Sequence, residues 1–294
     1  MSPRARRARD LPGHALLGLL TLIGLAAFGW PFVVSAPVGA GHGQDAPWLF
    51  ALLVGLSGAV VLAEQGSARL DAKSVAMIGV IAALGGGMRV LSAGVAGLEP
   101  MFFVVVLAGR VLGARLAFLT GALCLLTGAF LTGAVGPWAP FQMVATGWVA
   151  LAAALLPPLR GRAEVAVLAA YGLIAGLLYG LVMNLWFWPF LGASAPEGAG
   201  YVPGAPLSVN FGHYLAFYLA TSLGWDLPRG LLTAALTLIA GRPLLRTLRR
   251  ATRRAAFDAA PAFEPATAAP PPPDPRRDPA RVAPAPRADT GGLR

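Results

Sequence analysis

Residues 110–162 read RVLGARLAFLTGALCLLTGAFLTGAVGPWAPFQMVATGWVALAAALLPPLRGR. Two apolar runs, 116–134 and 141–156, stand between Arg110 and Arg115 on one side and Arg160 and Arg162 on the other. Only residues 135–140, with no Arg or Lys, separate them. A helix needs about 20 apolar residues, within about 17–25, to cross the hydrocarbon of a bilayer. Two such runs, joined by a tight Gly136-Pro137 turn and bearing arginines at their far ends, read as a membrane hairpin. The arginines are left on the cytoplasmic side.

The same alternation runs outward in both directions. Further apolar runs cover 14–36, 47–63, 74–91, 101–109, 165–188 and 211–240. Arg4, Arg6, Arg7 and Arg9 precede the first, and Arg69 and Lys73 separate the second from the third. Arg242, Arg246, Arg249, Arg250, Arg253 and Arg254 follow the last. The intervening loops 37–46, 92–100 and 189–209 carry no Arg or Lys. This predicts an all-α polytopic membrane protein with about eight transmembrane helices and both termini cytoplasmic. The run 101–109 is short. It is either a helix extended backward past Glu99-Pro100 or a partly spanning segment shielded by protein. The run 211–240 is too long for one straight span, and Pro228 predicts a kink or restart near Trp225-Asp226.

Composition agrees. Hydrophobic residues make up 56% of the 294 and charged residues 12%, against about 25% charged in globular chains. That excludes a pair of soluble domains as the organisation of the chain. The formal charge of +10 is topological. Sixteen of the 23 basic residues fall in five predicted cytoplasmic segments, and five more lie in a tail whose acids balance them. No folded basic surface for nucleic acid results. Only Arg89 and Arg229 remain outside these segments.

The predicted organisation is a basic cytoplasmic N-terminus (1–13), two transmembrane helices (14–71), a six-helix membrane core (72–241), a basic helix extension (242–254) and a Pro/Ala-rich tail (255–294) expected to be disordered. The basic residues before the first run, with Val38-x-Ala40 after it, have the outline of a signal peptide. The run is longer than a usual h-region, which favours an uncleaved helix. The extension interleaves Leu244, Leu245 and Leu248 with arginines, as suits a helix lying against anionic headgroups.

The single cysteine, Cys124, rules out an internal disulfide, and His14, His42 and His213 are too scattered for a metal cluster, so no metal or cofactor is expected. No Walker-type phosphate loop occurs. Gly55-Leu56-Ser57-Gly58 matches the G-x-S-G of intramembrane serine proteases, but only the distant His213 is left to act as its base.

Candidate ligand-binding residues gather at the outer ends of the spans. Arg89 follows Gly85-Gly86-Gly87 and runs against the positive-inside trend. It permits an anionic ligand group, or pairs with Glu99. Trp138 and Gln142 lie at the 135–140 turn, where an interfacial aromatic belt is the plainer explanation. Asn184, Trp188, Asn210, His213 and Tyr214 form an outer concentration of amides and aromatics suited to a mostly planar organic molecule. Asp226 and Arg229, three apart, read as a neutralising pair, with Asp226 also placed to cap a restarted helix. Ala72, Ala76, Gly79 and Ala83 form a stripe of small residues, which serves either packing within the protein or close approach by another chain.

The segment Gly109-Arg110-Val111-Leu112-Gly113, the Gly-rich run after it, Gly136-Pro137-Trp138-Ala139-Pro140-Phe141-Gln142-Met143 with Gly147-Trp148, and Phe217-Tyr218-x-x-Thr221-Ser222-Leu223-Gly224-Trp225-Asp226 together resemble the substrate-binding S components of energy-coupling factor (ECF) vitamin transporters, of the actinobacterial type. The resemblance covers about 72–254 and is nearest to members assigned to cobalamin and related compounds. It implies a six-helix core and a micronutrient bound on the extracellular side. It also implies no intrinsic ATPase, and docking on a membrane coupling subunit that carries two cytoplasmic ATPases. Ala72 and Ala76 match the spacing of the family's docking stripe. The expected function is therefore the substrate-specific component of an ECF-type importer in the plasma membrane. The rivals are a stand-alone ion-coupled transporter, for which Asp226 is the carboxylate within a span, and an intramembrane serine protease.

Overall fold

The computed structural model of the chain describes residues 3–33, 51, 52, 55, 72–92 and 95–255, all within the unit Met1–Ala256. Most of the second apolar run, Ser57, the Val38-x-Ala40 site and the tail beyond Ala255 lie outside the described residues. Those described form helices and turns, with no strand among them. In order they are α1 (Pro3–Gly29), α2 (Ala72–Ser92), α3 (Met101–Leu112), α4 (Ala114–Thr132), α5 (Ala139–Leu155), α6 (Gly161–Asn184), α7 (Leu207–Thr221) and α8 (Leu223–Ala255). Helix is what an apolar backbone must adopt in lipid, where every N–H and C=O needs a partner within the segment. Among the described residues, six stretches are long and apolar enough to cross a membrane, and α5 is a shorter apolar helix. Large apolar side chains face outward, Ile239 at 78% and Val80 at 69% exposure. The molecule is thus a multi-pass membrane protein whose outer face is a lipid-compatible surface.

Helix ends follow from local chemistry. Gly113 holds φ 78° between α3 and α4, a conformation that L side chains rarely take. Gly133, left-handed at the end of α4, turns its N–H back to the Ala129 and Phe130 carbonyls. Threonine hydroxyls inside the spans are satisfied by carbonyls one turn back, as in Thr146 to Gln142 and Thr233 to Arg229.

The helix α3 has 12 residues, about 18 Å at 1.5 Å per residue, well short of a bilayer core. It does not extend back through Glu99-Pro100. Met101–Gly109 are all buried, and with the short turn Val95–Gly97 before it the stretch Val95–Leu112 has the 18 residues of a candidate span. The long run 211–240 is split. Its first part is α7, and the chain restarts at Leu223, one turn before Trp225-Asp226. Asp226 donates its N–H to the Ser222 carbonyl, and its side chain turns to Arg229 rather than capping the helix.

Close contacts fix how α6 and α8 pack. A methyl at Gly172 would meet Thr233, one at Gly176 would stand 2.6 Å from Gly230 Cα, and one at Gly180 would strike the Asp226 carboxylate. Residue numbers rise on α8 as they fall on α6, so the two are antiparallel, and α8 begins at the end where α6 finishes. The chain from 185 to 222, α7 included, therefore starts and ends on one side of the bundle. α7, with 15 residues, lies in this segment and is not among the stretches long enough to cross.

At the arginine-rich end, Arg110 Nε donates to Glu164 at 2.6 Å, and Nη1 to the Leu156 carbonyl at 2.9 Å. Arg249 of α8 reaches the same Glu164. One carboxylate thus ties α3, α6 and the extended end of α8.

Candidate functional site

At the opposite, arginine-poor end lies a cavity of about 700 Å³, within the size range of small-molecule sites. Three elements build it. The start of α5 gives Trp138 and Gln142, and the end of α6 gives Tyr179, Gly180, Met183 and Asn184. The turn between α7 and α8 gives Thr221, Ser222, Trp225, Asp226 and Arg229, and the loop after α6 closes one wall through Leu191, Ser194 and Pro196.

The walls are aromatic. Trp138 and Trp186 meet edge to face with centroids 6.0 Å apart, and Phe187 and Phe217 do so at 5.8 Å. Asn184 Nδ2 donates to the Ser222 hydroxyl, joining α6 to the turn before α8. Trp138 Nε1 donates to the Ala134 carbonyl at 3.3 Å, which folds the ring over Gly136.

The floor is ionic. Arg229 Nε donates to Glu99 Oε2 at 2.8 Å, and Nη1 to Asp226 Oδ1. The guanidinium sits 5.5 Å from the Phe102 ring centroid and 5.1 Å from that of Tyr179, a cation–π clamp. Arg89 lies behind this floor, packed on Gly128, with Nη1 3.9 Å from Glu99 Oε1, an ion pair without a hydrogen bond. The two arginines that stood apart in the sequence therefore converge on one glutamate.

Of the eight sequence-derived ligand residues, Trp138, Gln142 and Asn184 line the cavity. Arg89 is one residue removed from it, through Glu99. The remaining four are not among its lining residues: Trp188, Asn210 and His213 fasten the loop that walls it, and Tyr214 ties α7 to α6. Trp188 is fully buried and donates Nε1 to the Ala199 carbonyl at 2.8 Å. The Asn210 amide accepts from Val202 N–H and donates to Val202 C=O, both at 2.9 Å. His213 Nδ1 is 2.8 Å from the Gly200 carbonyl, and the Tyr214 hydroxyl donates to the Leu181 carbonyl. Burial in this loop holds the Tyr201 phenol above its ordinary value. Tyr179, Gly180, Met183, Asp226 and Arg229 were not among the expected contacts. The Gly172, Gly176, Gly180 spacing is the signal in the sequence that would have brought α6 against α8.

In the small-residue stripe, Ala76, Gly79 and Ala83 are exposed, and Ala72 belongs to the same helix. A methyl at Gly79 would meet nothing within 4 Å, whereas Gly85 and Gly86 press on Cys124 and Thr127 of α4. Among the described residues, packing therefore uses a different face of α2.

Comparison of the chain with family models, with curated proteins and with solved structures finds no match. Fold and site together define an all-helical, multi-pass membrane protein with a solute-sized aromatic cavity at its arginine-poor end.

Proposed function

We propose that the protein is the substrate-binding S component of an ECF-type importer of the plasma membrane. In this reading it takes a vitamin or related micronutrient from the extracellular side. The observation that carries it is the cavity of about 700 Å³ at the end of the bundle that the positive-inside rule assigns to the exterior. Aromatic walls with a few polar groups are the surface an organic solute needs. The chain supplies binding and not hydrolysis. Energy comes from a membrane coupling subunit and two cytoplasmic ATPases, docked through the face that carries Ala72, Ala76, Gly79 and Ala83. Small exposed residues at this spacing allow close helix approach in lipid. Purification from its own cells is expected to bring down those partners and a small molecule identifiable by mass spectrometry. Ala76→Trp should abolish uptake while leaving the bound molecule in place. Full uptake by the protein alone would overturn the reading.

Asp226, a buried carboxylate in the cavity floor, favours one rival, an ion-coupled carrier. Its mark is uptake that stops with a protonophore while ATP is held constant.

A further inference from the structure

Two acceptors at the cavity are left without partners. Asp226 gives Oδ1 to Arg229, while Oδ2 is buried and accepts no hydrogen bond. Gln142 Oε1 is likewise buried and accepts none. Both residues line the cavity. The Tyr218 hydroxyl lies beside the same aspartate and donates to the Leu177 carbonyl at 3.2 Å. A buried acceptor left unmade is costly, and the cavity is the side from which a donor can arrive.

The charges set a second condition. Arg89 and Arg229 are balanced by Glu99 and Asp226. Arg229 is further held by the Phe102 and Tyr179 rings. A ligand bearing net charge would add an uncompensated charge to a floor that is already neutral and largely desolvated. The anionic group that Arg89 permitted when read alone finds that arginine spent on Glu99.

We infer that the cavity takes an uncharged planar molecule whose polar edge carries N–H donors, a carboxamide or an amino-substituted heterocycle, bound through Asp226 Oδ2 and Gln142 Oε1. This rests on the reading of the cavity as the solute site and names the chemistry that site selects.

Three matched probes test it on the full chain in nanodiscs by ligand-observed NMR titration: naphthalene-2-carboxamide, its N,N-dimethyl derivative and naphthalene-2-carboxylate. The primary amide is expected to bind at least ~10-fold more tightly than either of the others, the scale set by leaving a buried acceptor unpaired. Gln142→Leu should reduce that preference. Asp226→Asn should reverse it toward the carboxylate, because Arg229 will keep the amide oxygen and turn the NH2 to the cavity. Thermal unfolding checks that each variant is folded, and Gln142→Leu, which breaks no ion pair, carries the test if Asp226→Asn is not. Equal binding of all three probes, still lost on Trp138→Ala, would overturn the donor requirement and leave the solute site standing. No binding of any probe would overturn both.

Discussion

Removing the carboxylate of Glu99 takes the counter-charge from Arg89 and leaves Arg229 to Asp226 alone, because the two arginines approach Glu99 from different helices. Breaking a buried pair from one side costs about 3–5 kcal/mol. Glu99→Gln is therefore expected to lower the melting temperature of the detergent-solubilised protein strongly. Adding Arg89→Met should recover part of the loss, since it removes the charge whose counter-charge is gone. Both arginines were legible in the sequence, because charge is rare in an apolar span and each one has to be explained. Their meeting point was open, since Arg89 fitted a ligand as well as it fitted Glu99. Asn210 shows the opposite limit. An amide amid outer aromatics reads the same whether it holds a ligand or its own loop, and here it holds Val202 through both backbone groups. Asn210→Ala should cost about 1–3 kcal/mol for the unpaired groups. It should also raise hydrogen exchange and protease cleavage in residues 199–205 before any change in the helices.

Among the elements, α6 and α8 depend on glycine for their approach. Gly176→Leu would drive a side chain into Gly230 and is expected to cost about 1–3 kcal/mol or more by overpacking. Gly79→Ala, on the exposed face of α2, should leave thermal stability unchanged or slightly higher, because it meets nothing and is a better helix former. Thermal unfolding of the two variants side by side checks the contrast. Arginine alternation is what counts the weak run 101–109 among the expected crossings, and the structure makes that run the buried helix α3. What the apolar pattern did not contain was that the segment holding α7 starts and ends at the same end of the bundle. The residues of α7 are as apolar as those of a span, and only the contacts of α6 with α8 distinguish the two cases. The helix α3 begins at Met101, and Glu99, just before Pro100, reaches Arg229.

For the molecule as a whole, orientation is the property that every functional statement inherits. The lone cysteine, Cys124, is buried, so a Cys124→Ser background permits single-site labelling. In intact cells an impermeant maleimide should label Glu197→Cys, at the arginine-poor end, and should reach Arg162→Cys only after permeabilisation. The reverse pattern would invert the assignment of outside and inside. One feature joins these two faces mechanically. The 33 residues of α8 span about 50 Å at 1.5 Å per residue. They carry Asp226 and Arg229 near one end and Arg249 near the other. With a solute on the cavity floor, the helix would be a lever with the Glu164 latch at its far arm. A tilt of this helix that is not taken up by bending at Pro228 or Pro243 must either unfasten Arg249 or drag α6 along. Occupancy of the cavity would then be felt as displacement on the far side of the membrane with no relay of side chains in between.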